Sequence, residues 1–121
     1  GKLMNVEECR DFCLSFPGVT EGFPFGIETL VFKVMGKMFA LTGIDTFEFI
    51  NLKCDPERAI TLREQFEEVK PGWHMNKVHW NSVFTNGDLE DELIKELITH
   101  SYELIVASLP KKDKEALNFL K

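Results

Sequence analysis

The chain has 121 residues, 44% hydrophobic and 28% charged, which suits one globular core and leaves too little for two of ordinary size. Its 14 Lys and Arg face 20 Asp and Glu for a formal net charge of −6, which argues against the clustered positive surface that displaces counterions from duplex phosphates. The three cysteines are an odd number, no export signal is visible, and no stretch approaches the roughly 20 apolar residues that span a bilayer, so the expected setting is the cytoplasm with no membrane partner.

Gly1-Lys2-Leu3 reads as a remnant ahead of a natural start at Met4, with a single domain covering residues 1–121. Asn5 followed by Glu8 forms a capping box, and Val6, Cys9, Phe12, Cys13 and Phe16 recur at helical steps, predicting a helix over 6–16 that Pro17-Gly18 ends. Val19 to Ile27 has no usable period and reads as a loop packed down by Phe23 and Phe25. Glu28 to Met35 alternates as a strand, with Leu30, Phe32 and Val34 on one face and Lys33 on the other. Gly36-Lys37 then reads as a type II′ hairpin turn into Met38–Thr42. A third strand is expected over Thr46–Cys54, with Phe47, Phe49 and Asn51 on one side and Glu48, Ile50, Leu52 and Cys54 on the other.

Asp55-Pro56 opens a second helix, aspartate capping the free amides and proline losing no hydrogen bond at the first position, with Ala59, Leu62 and Phe66 inward. A strand follows over about His79–Thr85, ending at the turn Asn86-Gly87. Asp88 is placed to cap a long helix over Leu89–Leu109, and Pro110 introduces a short polar helix anchored by Leu117 and Leu120. The local hairpins favour an antiparallel sheet with helices on one face, a two-layer α+β fold of order α-β3-α-β2-α.

The stretch Pro71 to Ser82 gathers both tryptophans, two of the three histidines, two asparagines and a lysine into twelve residues. Trp73, His74, Asn76, Lys77, His79, Trp80 and Asn81, with Lys33 nearby, are the candidate site: aromatic rings that stack and polar groups that read an edge, as single-stranded nucleic acid or a small heterocycle requires. The alternative is that the tryptophans are core and the polar groups satisfy a turn. Apolar residues fall at odd positions before Asn76 and at even ones after it, which implies a bulge or bend near Asn76-Lys77.

A metal site is not expected. His74 and His79 point to opposite faces of a strand, and Cys9 and Cys13 sit on a core stripe far along the chain from Cys54. Nor is catalysis: Ser101 beside His100 lies on a helix where adjacent residues diverge, and no nucleophile elbow or phosphate loop is present. Ser101 and Tyr102 read instead as groups that fasten the long helix to the sheet by buried hydrogen bonds. No cofactor is implied.

Pro71-Gly72-Trp73-His74-Met75-Asn76-Lys77 with His79-Trp80-Asn81 resembles the PGYHMNK.HWN signature of the MmcQ/YjbR family, with Trp73 where tyrosine is usual. Phe16-Pro17-Gly18, Val31-Phe32-Lys33-Val34, Gly36-Lys37, His100 to Val106 and Leu109-Pro110-Lys111-Lys112 are similar to its other landmarks, so the likeness runs from about Asn5 to Leu120. It implies a bacterial protein of α-β3-α-β2-α order, similar to secretion-chaperone-like and frataxin-like folds, and a family name that includes "DNA-binding protein". Two functions follow: a DNA-binding module using the 73–81 stretch and nearby lysines, or a protein-interaction module that offers a sheet face or edge to a peptide or to its own copy.

Overall fold

The computed structural model describes residues 4–121, and the reading of Gly1-Lys2-Leu3 lies outside them. The capping box forms as expected: Asn5 Oδ1 accepts from the Glu8 amide at 2.8 Å at the start of α1 (Val6–Leu14). Cys9 and Cys13 on its inner face are fully buried.

The first departure is β1 (Val19–Gly22), a four-residue edge strand where the sequence suggested only loop. It pairs antiparallel with β2 (Thr29–Val34). So short a strand carries no readable alternation; partner backbone hydrogen bonds define it. The intervening 23–28 segment does form turns, Gly26 donating to the Phe23 carbonyl, but Phe23 and Phe25, expected to pack it down, are both exposed.

The hairpin from β2 to β3 (Lys37–Gly43) turns on Met35-Gly36, one residue earlier than expected, because Val34 pairs with Lys37. Both turn residues have positive φ, 50° and 85°, which is the type I′ requirement, in place of type II′. Within that pair Lys33 lies opposite Met38 and Phe32 opposite Ala40, so Phe39 is the extra residue of a β-bulge.

The third expected strand is shorter, β4 (Phe49–Lys53). Phe47 takes φ 45° and joins the core under the helices, while Phe49 lies on the other side of the sheet. Phe47 and Phe49 were expected on one face and Glu48 on the Ile50 side, yet Glu48 lines the open face beside Phe49; the left-handed residue breaks the period-2 rule. Asp55 caps α2 (Pro56–Gln65) as predicted, its carboxylate accepting from Arg58 N. A further strand, β5 (Val69–Pro71), then pairs with β6 (Trp80–Phe84). The sheet is six-stranded and antiparallel, in the order β1-β2-β3-β4-β6-β5.

α3 spans Asp91–Ser108. It begins three residues after Asp88, whose backbone amide instead donates to the Glu68 carboxylate at 2.9 Å. α4 (Lys111–Asn118) closes the chain. Of its two expected anchors Leu117 is buried and Leu120 is exposed, since α4 gives way at Phe119 to a C-terminal turn.

All four helices pack on one face of the sheet, where Phe32, Val34, Ile50, Leu52 and Val83 meet Leu97, Ile98 and Ile105 of α3. The expected fastening groups act as such. Ser101 Oγ donates to the carbonyl of the bulge residue Phe39 and accepts from Lys53 N, and Tyr102 Oη donates to the Pro17 carbonyl at 2.7 Å. The α+β, two-layer architecture is therefore present, with one more strand before α2 than expected. Among the described residues no helix is long and apolar enough to cross a membrane.

Candidate ligand site on the open face of the sheet

The face opposite the helices carries the alternate residues Met38 and Leu41 of β3, Phe49 and Asn51 of β4, and Trp80 and Ser82 of β6. Such a face is normally polar and wet. Here two segments rise over it and leave a pocket of about 490 Å³ between them. The 23–28 segment supplies Phe25 on one side, and residues 72–79, the loop joining β5 to β6, supply Trp73, His74 and Met75 on the other.

The 72–79 loop is where the sequence implied a bend, and it is a two-turn hairpin connection instead of a bulged strand. Its conformation is fixed residue by residue. Gly72 packs so closely that a Cβ there would stand 2.8 Å from Trp80 Cβ and 3.0 Å from both Met75 Cβ and the Trp80 carbonyl. Trp73 is held by its backbone at both ends: its amide donates to Ser82 Oγ at 2.8 Å, and its carbonyl accepts from Asn51 Nδ2 at 3.0 Å. Ser82 Oγ in turn donates to Asn51 Oδ1, so the buried polar pair on the sheet is satisfied by the loop above it. Asn76 Oδ1 accepts from the amides of Val78 and His79, and Lys77 Nζ donates to the Gly72 carbonyl at 2.7 Å. From α2, Arg63 reaches across to the Lys77 and Trp80 carbonyls and to Asn81 Oδ1.

These bonds divide the expected site residues. Asn76 and Lys77 hold the loop, and Asn81 is buried on the helix side against Arg63. Trp80 is half-buried opposite Lys53, and His79 is exposed with its carbonyl accepting from the Cys54 amide. Lys33 lies on the open face nearer β1, outside the pocket. Only Trp73 and His74 are brought to the cavity, with ring centroids 4.7 Å apart in an edge-on arrangement. Trp73 is 62% exposed, so the fixed backbone presents its ring to solvent. The residues that complete the pocket, Phe25, Met38, Leu41, Glu48 and Phe49, come from segments far from the signature stretch, and no local pattern marks them.

Among the described residues no group of three or more His, Cys, Asp or Glu side chains could hold a metal ion. Two of the thiols are held in the neutral form: Cys13 is pushed far up by its hydrogen bond with Cys9 and by burial, and burial raises Cys54 to about 11.

A family model described as YjbR matches residues 14–104. The chain belongs to the YjbR family. Its YjbR span opens at the end of α1 and closes within α3, so it contains the whole sheet and the 72–79 loop. Among YjbR relatives, YbdF of Escherichia coli O157:H7 is 38% identical over 110 residues, covering 90% of each chain. YjbR of Escherichia coli strain K12 is 31% identical over 115 residues, 94% of this chain and 98% of that one. The crystal structure of protein DR2400 from Deinococcus radiodurans superposes with a TM-score of 0.88 at 38% identity, over 96% of this chain and 89% of its own. A Pseudomonas syringae protein does so at 0.71 and 29% identity, over 84% and 98%.

Proposed function

We propose that the chain is a non-enzymatic binding module that seats a compact, ring-bearing small molecule on the open face of its sheet, between Phe25 and Trp73. The observation that carries the reading is the pocket: a volume of about 490 Å³ over a floor of Met38, Leu41 and Phe49, walled by aromatic rings left 65% and 62% exposed. Apolar cavities of about 300 to 1,000 Å³ with a few convergent polar groups are the usual seats of small ligands. Rings standing in water beside an apolar floor add exposed apolar area that a ligand would cover, at about 25 cal/mol per Å². The raised Cys13 and Cys54 thiols support a binding role over a nucleophilic one.

The DNA-binding reading draws less support. Among the described residues no Lys or Arg lines the pocket, the Lys77 ammonium is turned inward onto Gly72, and the chain is acidic overall. A protein-partner or homodimer reading would use the same face, but the pocket's size suits a ligand of drug-like volume better than a flat interface.

Titration with Nile red, an uncharged fluorescent ring system, tests the reading. Wild-type protein is expected to bind one equivalent, and Trp73→Ala and Phe25→Ala to bind about tenfold more weakly with unchanged melting temperature, because both side chains are exposed. Binding that both variants retain in full would remove the pocket from consideration. Anisotropy with labelled single- and double-stranded oligonucleotides runs alongside; affinity that falls steeply with salt would restore the DNA reading.

A further inference from the structure

The polar groups around the pocket separate into those already engaged and those free to meet a ligand. Asn51 has its amide nitrogen on the Trp73 carbonyl and its oxygen under Ser82 Oγ. Thr42 Oγ1 donates to the Phe49 carbonyl at 2.7 Å. Neither has a strong group left for a ligand. The Glu48 carboxylate, by contrast, has no hydrogen-bond or ion-pair partner among the described residues, although the Glu48 backbone carbonyl is anchored by Thr85. Among the described residues it is the one carboxylate in the pocket's lining, and no described lysine or arginine lines the pocket to balance it.

Resting on the small-molecule reading above, we infer that the pocket takes an organic cation, a protonated or quaternary amine carried on an aromatic or apolar body. Three features favour that class together. The Glu48 carboxylate supplies the opposite charge. Trp73, Phe25 and Phe49 line the cavity with aromatic rings of the kind that attract ammonium groups, worth about 0.5 to 2 kcal/mol according to desolvation. The net charge of −6 disfavours an anion before it arrives. A carboxylate or phosphate ligand would meet Glu48 with no lysine or arginine among the described lining residues to offset it, which disfavours nucleotides on the same ground.

A matched series with one ring system decides the matter: 1-naphthylmethylamine as its ammonium ion, uncharged 1-naphthalenemethanol, and 1-naphthoate, each titrated by calorimetry. Wild-type protein is expected to bind the ammonium about tenfold tighter than the alcohol, and the alcohol more tightly than the carboxylate. In Glu48→Gln, an exposed substitution whose folding is checked by its melting curve, the ammonium is expected to fall to the level of the alcohol while the alcohol is unchanged. Equal binding of all three, or an ammonium preference that survives Glu48→Gln, overturns the cation assignment and leaves the pocket standing. Failure of the alcohol as well overturns both.

Discussion

Gly72 shows most directly how a single residue sets the site. The approach of Trp80 Cβ and the Trp80 carbonyl to within 2.8 and 3.0 Å of the position a Cβ would take involves atoms at or near backbone, so neither can rotate aside. Gly72→Ala is therefore expected to displace the loop and cost about 1 to 3 kcal/mol by overpacking, read as a lowered urea midpoint with unchanged slope. Full wild-type stability would mean that the loop has slack the packing does not suggest. Lys77 shows the opposite lesson: in the sequence it is a free cation beside two tryptophans, and in the fold its ammonium closes a ring onto Gly72. A side chain's type was readable there, and its engagement was not, because the acceptor is set by the loop's path.

At the scale of elements, α3 does more than cover the sheet. Its consecutive residues His100 and Ser101 take the amides of Asp55 and Lys53, so the exit of β4 and the entry of α2 are both pinned to it. Ser101 also holds the Phe39 carbonyl, at the bulge. Ser101→Ala leaves that carbonyl and the Lys53 amide unpaired in the interior, at an expected cost of about 1 to 3 kcal/mol; amide exchange at Lys53 should accelerate with it, and unchanged exchange would sink the idea. His100 is held below the ordinary histidine value of 6.5, mainly by burial and then by the Arg58 charge. The unfolded chain thus takes up this proton first. The stabilising contribution is complete above about 6.5 and is lost as pH falls below it towards the folded value. Melting curves from pH 7.5 to 5 should show a steeper decline for wild type than for His100→Gln; parallel curves would refute the linkage.

For the whole molecule, the α+β class, the single-face placement of the helices and the capped starts of α1 and α2 were legible because each rests on local periodicity or on side chains a few residues apart. What was not legible depends on pairing. β1 exists because β2 runs beside it, Phe47 and Phe49 separate because one backbone angle turns over, and the hairpin turns at Met35-Gly36 because Val34 pairs with Lys37. The site suffered most from this, since Phe25, Glu48 and Phe49 reach the pocket only through the strand order. The signature stretch was recognisable as important, yet most of its polar groups brace a loop, and the part that meets solvent is Trp73 with His74.

The two tryptophans, one at the lip of the pocket and one half-buried below the loop, have a spectroscopic consequence. An indole in water emits further to the red and is quenched more readily by acrylamide than one packed against protein. Trp80→Phe, which keeps only Trp73, is expected to show red, strongly quenched emission that shifts to the blue and becomes protected when the pocket fills. Trp73→Phe, which keeps only Trp80, should change little on the same addition. Equal quenching of both indoles would contradict the exposure difference. Occupancy of the pocket would then be legible in the chain's own light, with no label attached.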